Sequence, residues 1–237
     1  NSTKFKNIID KVYNKRLFAS SIKDVPFLPV SLFKEVELKS VPDNKVFKIL
    51  NSSGTSESKL SKIFLDKENA SKQTKALNQV VSEIIGSKRI PMLVIDERKT
   101  IKDPKKFNAK TAAYLGFSLF GSNIFYLIED GKINYKGLNF FLEKHEKENI
   151  LIFGFTSDVY FKFIDKLNLD NLFKKNFEKA ILIHGGGWKK MIKKKISNYK
   201  FKEILKDKFR ISSVYNYYGL IEQTGSIFFE SKCGYFT

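Results

Sequence analysis

The stretch Ala180-Ile181-Leu182-Ile183-His184-Gly185-Gly186-Gly187 runs from four apolar residues through one histidine into three glycines. An apolar run this short, closed by a glycine turn, reads as a buried strand, from Lys179 to Ile183, that leads through the turn into a lysine-rich helix. The same unit recurs outward from this point. Upstream, Asn149 to Phe155 is a buried strand, after which Thr156 or Ser157 is expected to cap a helix through Leu167. Downstream, Ile211 to Tyr217 is a strand ending at a Tyr218-Gly219 turn. Further back, Ile90 to Ile95 is an apolar strand and Ala109 to Phe120 a helix. Phe125 to Ile128 and Lys132 to Tyr135 flank Glu129-Asp130-Gly131, a turn centred on Asp-Gly. Strands alternating with helices predict an α/β fold with a largely parallel sheet covered on both faces. Ligands on such sheets bind beyond the carboxyl ends of the strands, where the glycine-rich turns lie.

The N-terminal part is patterned differently. Phe5, Ile8, Ile9, Val12 and Tyr13 give Lys4 to Phe18 the spacing of an amphipathic helix. Val25-Pro26-Phe27-Leu28-Pro29-Val30 is expected to be extended, because each proline disfavours helix at the residue before it. Ser61 to Leu65 reads as a short strand. Asp66 then caps a helix through Ile85 with Ala70, Leu77, Val80, Val81 and Ile84 on its apolar face, and Gly86 ends it.

The net charge is +18, yet only four of the 43 basic residues are arginine: Arg16, Arg89, Arg98 and Arg210. Arginine supplies the bidentate contacts to phosphates and guanine edges, so a dedicated nucleic-acid reader should be richer in it. The excess of Lys, Asn, Ile and Phe matches an AT-rich coding bias, and the lysines are dispersed apart from one cluster at Lys189, Lys190, Lys193, Lys194 and Lys195. A lysine-rich nucleic-acid-binding domain is therefore the competing reading, and an anionic small substrate suits the same field. No apolar run approaches the roughly 20 residues of a membrane span. A single cysteine, Cys233, excludes an internal disulfide framework and a Cys-rich zinc site, and His145 and His184 lie too far apart in sequence for a His-based site. This usage fits a reducing cytoplasm. The first residue is Asn1 rather than methionine, which is the expected mark of a trimmed chain.

Three loops carry the candidate chemistry. Val46 to Leu50 gives way to Asn51-Ser52-Ser53-Gly54-Thr55-Ser56-Glu57-Ser58-Lys59, with five hydroxyls, one glycine and one lysine. Hydroxyls and backbone N–H groups converge on phosphate oxygens in such loops, with glycine allowing the φ > 0 backbone that turns donors inward. In isolation the same residues also make a solvated Ser-rich turn. Gly185, Gly186 and Gly187 let backbone approach a flat ligand or a phosphate, or simply make a tight strand-to-helix turn. Glu222 follows Tyr217-Tyr218-Gly219-Leu220-Ile221 in an otherwise uncharged aromatic segment. A carboxylate there suits Mg²⁺ held against ATP phosphates, or equally a surface or capping role.

Together the three loops resemble the adenylate-forming superfamily of acyl and aryl ligases. Ser52-Ser53-Gly54-Thr55-Ser56 is similar to its phosphate loop, Gly185-Gly186-Gly187 to its adenine-side turn, and Tyr218-Gly219-Leu220-Ile221-Glu222 to its Tyr-Gly-x-Thr-Glu motif. Within that superfamily the LuxE-type acyl-protein synthetases are resembled most. The residues carrying this are Val25 to Val30 leading to Leu32-Phe33-Lys34, Ile63 to Glu68, Arg89 to Asp96, and Glu222-Gln223-Thr224-Gly225-Ser226-Ile227. The resemblance runs from about Ser20 to the C-terminus.

It implies the large N-terminal domain of an adenylate-forming enzyme as one domain over residues 1–237, lacking the small C-terminal lid and its catalytic lysine. It also implies ATP-dependent activation of a carboxylic acid, a fatty acid in this family, as acyl-AMP. Ser52, Ser53, Gly54, Thr55, Ser56 and Lys59 would surround the phosphates, and Glu222 would hold Mg²⁺. His184, Gly185, Gly186, Gly187, Tyr218 and Gly219 would border the adenine, with the acyl group near Phe153, Gly154 and Phe155. The acceptor would be a thiol: a protein cysteine, a carrier thiol or CoA, the last as in phenylacetate-CoA ligases. Three departures stand out: Glu57 replaces a usual glycine, Ile221 replaces a usual threonine, and either Lys59 or Lys62 stands in for the usual loop lysine.

Overall fold

A computed structural model describes residues 2–13, 20–52, 59–102, 109–168, 175–188, 193, 196–223, 227–231 and 233–236. The chain divides into two compact units, one comprising Asn1–Ala76, Phe107–Lys110 and Leu220–Ser226, the other Leu77–Lys106, Thr111–Gly219 and Ile227–Thr237.

In the first unit, α1 (Thr3–Tyr13) is the expected amphipathic helix, and its Ile9 is buried. Pro26 to Pro29 form neither helix nor strand, as the two prolines require, and the short α2 (Leu32–Glu35) follows. Strands β1 (Lys48–Asn51) and β2 (Lys62–Leu65) pair antiparallel, with Lys48 opposite Leu65 and Asn51 opposite Lys62. Just past the pair, the Ser52 amide donates to the Ser61 carbonyl (3.0 Å), and the Ser61 amide donates to Ser52 Oγ (2.9 Å). The hydroxyl-rich segment is thus the connection of a hairpin whose mouth is closed by Ser52. Helix α3 (Lys67–Ile85) begins as expected at Asp66, whose Oδ1 accepts from the Asn69 amide at 2.7 Å. It ends at Gly86, which takes φ +83°.

Among the described residues of the second unit, seven strands form one sheet in the order β5-β4-β3-β6-β7-β8-β9. They are β3 (Ile90–Glu97), β4 (Gly121–Glu129), β5 (Lys132–Ile133), β6 (Leu151–Phe155), β7 (Ile181–Gly185), β8 (Ser213–Tyr218) and β9 (Phe228–Phe229). The run β4-β3-β6-β7-β8 is parallel, and β5 and β9 close the edges antiparallel. The expected α/β fold class is therefore observed. Every residue of β6 is buried, because helices cover both faces and neither parity of the strand meets water. Leu93, Ile95, Ile152, Leu182 and Val214 pack against α6 (Tyr135–Lys144), the π-helical turn Val159–Ile164 and α8 (Asn198–Phe209). Met92, Val94, Leu151, Phe153, Phe155 and Ile183 face the end of α3 and α5 (Ala109–Ser118). The short α4 (Lys99–Lys102) precedes α5, and α7 (Thr156–Asp158) runs straight into the π turn. Pro91 sits where the β3–β4 register shifts, between Ile90 and Met92, since it has no N–H for the ladder.

Three local expectations are corrected. The segment Lys132 to Tyr135 is strand only at Lys132–Ile133: Asn134 accepts from the Gly137 amide (2.7 Å) and starts α6 at Tyr135, because Leu138, Phe141 and Leu142 gain burial on a helix. Thr156 does not cap the helix after β6. That cap position is Phe155, and the Thr156 hydroxyl is used elsewhere. Tyr218 is the last residue of β8 and not part of a turn, since β9 extends the ladder with Tyr218 opposite Phe228. The expected lysine-rich helix after the glycine turn falls largely outside the described residues.

Candidate functional site

The glycine turn leaves the carboxyl end of β7, an inner strand of the seven-stranded sheet, between β6 and β8. The register sets Gly185 beside Phe155 on one side and Tyr217 on the other. A Cβ on Gly185 would lie 2.5 Å from Cε1 of Tyr217 and 2.7 Å from its carbonyl oxygen. One on Gly186 would lie 2.4 Å from Cδ1 of Phe155. Gly186 and Gly187 adopt φ +75° and +63°, so both need glycine for backbone reasons as well. At Gly187 a Cβ would meet nothing within 4 Å among the described residues. The turn is therefore wedged between two aromatic rings at its base and bare at its tip. That is the geometry in which backbone approaches a flat ligand or a phosphate.

The base of the turn is tied by a short network. The Thr156 hydroxyl donates to the Gly185 carbonyl at 3.0 Å and lies 2.9 Å from His184 Nδ1. His184 is 2% exposed and stacks obliquely on Phe201, with ring centroids 4.7 Å apart. Its Nε2 is buried without a hydrogen-bond partner among the described residues. Burial, followed by the nearby Lys202 charge, lowers the His184 pKa to about 3, so the imidazole is neutral at physiological pH. Burial likewise raises the Tyr217 phenol, which stays protonated.

A second polar cluster marks the carboxyl end of β3. Asp96, almost fully buried, accepts from Tyr114 Oη (2.9 Å), from the Glu97 amide (2.9 Å) and from Lys162 Nζ (3.1 Å). Lys162 also reaches Asp158 at 3.0 Å from the π turn. Burial pulls the Lys162 pKa down, but Asp158 and Asp96 outweigh it and raise it, so the ammonium is retained. Burial raises the Tyr114 phenol, with Asp96 adding in the same direction. Beside this cluster a cleft of about 520 Å³ is lined by Glu97, Gly131, Lys132, Tyr135, Lys162 and Lys166.

The candidate residues divide clearly. His184, Gly185, Gly186 and Gly187 adjoin one another as expected, and Tyr218 and Gly219 follow at the end of the neighbouring strand β8. The tyrosine that touches the turn is Tyr217, whereas Tyr218 is half exposed with its ring 6.1 Å from Phe236. Phe153 and Phe155 share the α5 face with Tyr114, while a Cβ on Gly154 would point at Ile95 and Val159 on the opposite face. Phe153 is sealed in the core, stacked on Phe117 at 4.1 Å. In the first unit, Ser52 closes the hairpin mouth and Lys59 Nζ pairs with Glu35 at 2.5 Å. Ser53, Gly54, Thr55 and Ser56 lie outside the described residues. Glu222 is half-buried in a turn, and among the described residues no hydrogen bond or ion pair to its carboxylate is seen. Among the described residues no group of three or more His, Cys, Asp or Glu is placed to hold a metal, and no helix is long and apolar enough to cross a membrane. Sequence reasoning passed over Tyr217, Thr156, Asp96 and Lys162. For Tyr217 the signal was available, because strand parity separates it from Tyr218.

The profile of a family described as acyl-protein synthetase, LuxE, matches residues 4–234. No curated protein matches the sequence. Among solved structures, the chain is similar to an open conformation of 2-hydroxyisobutyryl-CoA ligase in complex with 2-HIB-AMP and CoA. The TM-score is 0.48 at 13% identity, covering 77% of this chain and 35% of that one. ATP-bound MatB from Rhodopseudomonas palustris gives 0.46 at 14% identity, covering 79% and 31%. The N-terminal subdomain of Klebsiella oxytoca NpsA with 3-hydroxyanthranilyl-AMSN gives 0.44 at 12% identity, covering 78% and 40%. The chain thus spans roughly a third of the length of the first of these structures.

Proposed function

This chain belongs to the LuxE acyl-protein synthetase family, and from that premise we propose that it activates a carboxylic acid with ATP and passes the acyl group to a thiol. The observation that carries the reading is the glycine turn at the carboxyl end of β7, tightly wedged at Gly185 and Gly186 and open at Gly187. A turn of this kind at the end of a parallel strand accepts a nucleotide face without side-chain interference. The carboxylate oxygen attacks the α-phosphorus, the bond to the bridging oxygen of the β-phosphate breaks, and pyrophosphate leaves. A thiolate then attacks the acyl carbonyl, and AMP departs. Little covalent chemistry is asked of the protein, whose contribution is to orient the reactants and place donors where charge develops.

In this reading Gly185, Gly186 and Gly187 line the adenine side with His184 beneath them, and Tyr218 and Gly219 border it. Ser52 to Ser56 with Lys59 surround the phosphates. Lys59 would exchange its exposed Glu35 partner for a phosphate, at little cost because such surface pairs contribute little. The acyl chain lies toward Phe155, at the end of the aromatic set that includes Phe153 and Gly154. Glu222 suits Mg²⁺, because this ion is commonly held by one or two carboxylates plus substrate phosphates. The ion would neutralise phosphate charge. A fatty acid as the acid and a protein cysteine as the acceptor are the family-consistent choices. A carrier thiol or CoA would use the same first step.

The test is carboxylate-dependent exchange of pyrophosphate into ATP by the full-length protein, over acids from acetate to long-chain fatty acids. Exchange with a subset of acids, abolished by EDTA, is expected. A folded protein that exchanges with none of them would refute the proposal.

A further inference from the structure

We infer that Thr156 and His184 form a hydrogen-bond relay that sets the backbone of the glycine turn, and so act as positioning residues for nucleotide binding. The nucleotide part rests on the function proposed above; the relay itself rests on geometry alone. Thr156 has one hydroxyl proton and two neighbours. The Gly185 carbonyl, 3.0 Å away, can only accept, so the proton points there. The Thr156 oxygen then presents lone pairs to His184 Nδ1 at 2.9 Å, and that nitrogen must carry the hydrogen. The neutral Nδ1–H tautomer follows, leaving Nε2 a bare acceptor. This agrees with its burial without a donor and with Lys202 nearby, since a proton on Nε2 would find no acceptor.

The consequence lies in the Gly185–Gly186 peptide. Gly185 is the last residue of β7, and the peptide that leaves the ladder there joins two glycines with no Cβ to restrict it. Anchoring the Gly185 oxygen to Thr156 fixes the plane, and in a trans peptide it fixes the Gly186 N–H in the opposite direction. A Cβ at Gly185 or Gly186 would run into Tyr217 or Phe155, so both positions require glycine, and the Thr156 bond orients the peptide between them. His184 holds the hydroxyl in the rotamer that reaches Gly185. A burial-suppressed charge keeps this arrangement unchanged near neutral pH.

The experiment uses the ¹⁵N-labelled full-length protein with Thr156→Val, which is nearly isosteric but lacks the hydroxyl, and Thr156→Ser, which keeps it. Long-range ¹H–¹⁵N correlation at pH 7 should show His184 protonated on Nδ1 and bare on Nε2. In Thr156→Val the Gly186 and Gly187 amide resonances should shift, and Mg·ATP affinity and KM for ATP should worsen about tenfold, with KM for the acid unchanged. Thr156→Ser should restore both. An Nε2–H tautomer in the wild type would overturn the relay. So would unmoved glycine amides together with Mg·ATP affinity within about twofold of wild type in Thr156→Val. Should Thr156→Val not fold, the wild-type tautomer and Thr156→Ser still decide. Wild-type protein that binds no Mg·ATP would instead defeat the proposed function, and the tautomer and amide shifts would judge the relay independently.

Discussion

Acidification should destabilise this protein through one residue, His184, in a way that can be worked out in advance. Its pKa falls from an ordinary 6.5 to about 3 on folding, because burial removes water from the charged ring and the Lys202 charge lies near. Between those values the unfolded chain binds a proton that the native protein refuses. Stability is therefore undiminished above pH 6.5, declines as pH falls below 6.5, and stops declining from this source below about pH 3. At pH 5 the unfolded state gains about 2 kcal/mol from this proton, against almost nothing at pH 7.5. The assay is urea unfolding of wild type and His184→Asn at pH 7.5, 6, 5.5 and 5. Other titrating groups are common to both proteins and cancel in the difference. His184→Asn should be less stable at pH 7.5, and the gap should narrow by about 2 kcal/mol at pH 5. Parallel loss in the two proteins, with the gap constant to within about 0.5 kcal/mol, would refute a neutral buried imidazole.

Four further outcomes are expected. Gly186→Ala combines a left-handed φ with a Cβ driven into Phe155 and should cost about 2–4 kcal/mol by urea or thermal unfolding, whereas Gly187→Ala, equally left-handed but unobstructed, should cost about 1 kcal/mol. Lys162→Met removes a cation from the nearly buried Asp96 and should cost about 2–3 kcal/mol, the low end for a broken buried pair, because Tyr114 and the Glu97 amide still hold the carboxylate. Lys59→Gln should change the unfolding midpoint negligibly, since the Glu35 pair is exposed, yet lower Mg·ATP affinity about tenfold; unaltered affinity would remove Lys59 from the phosphate loop. Phe153→Ala should cost about 3–5 kcal/mol, since the ring is sealed and stacked on Phe117, and stability near wild type would contradict that packing.

Much of the architecture was legible before folding. Runs such as Ile150 to Phe155 and Ala180 to Ile183 declare strands buried on both faces, and glycine or capping residues at fixed offsets mark where elements stop, as Asp66 and Gly86 do for α3. Local chemistry is enough for these, because an apolar face must be buried and a helix end needs a donor or acceptor at hand. α6 was missed although Asn134 and the spacing of Leu138, Phe141 and Leu142 announce it, because the neighbouring Asp-Gly turn favoured extending a hairpin. The partners of the site were not legible in the same way. Thr156 is as good a helix cap as any threonine until β7 places the Gly185 carbonyl beside it. Asp96 and Lys162 are 66 residues apart, and only the fold makes them a pair.

The sequence by itself determined most of the buried strands and the long helix after Asp66, that the main sheet is largely parallel, and that a glycine turn sits at a strand end, since each follows from short-range periodicity and backbone freedom. Only the tertiary structure decided that Gly185 lies between Phe155 and Tyr217, that His184 is buried and neutral, and that the Thr156 hydroxyl reaches the Gly185 carbonyl. Those depend on strand register and on exclusion of water, which exist only once distant segments have packed.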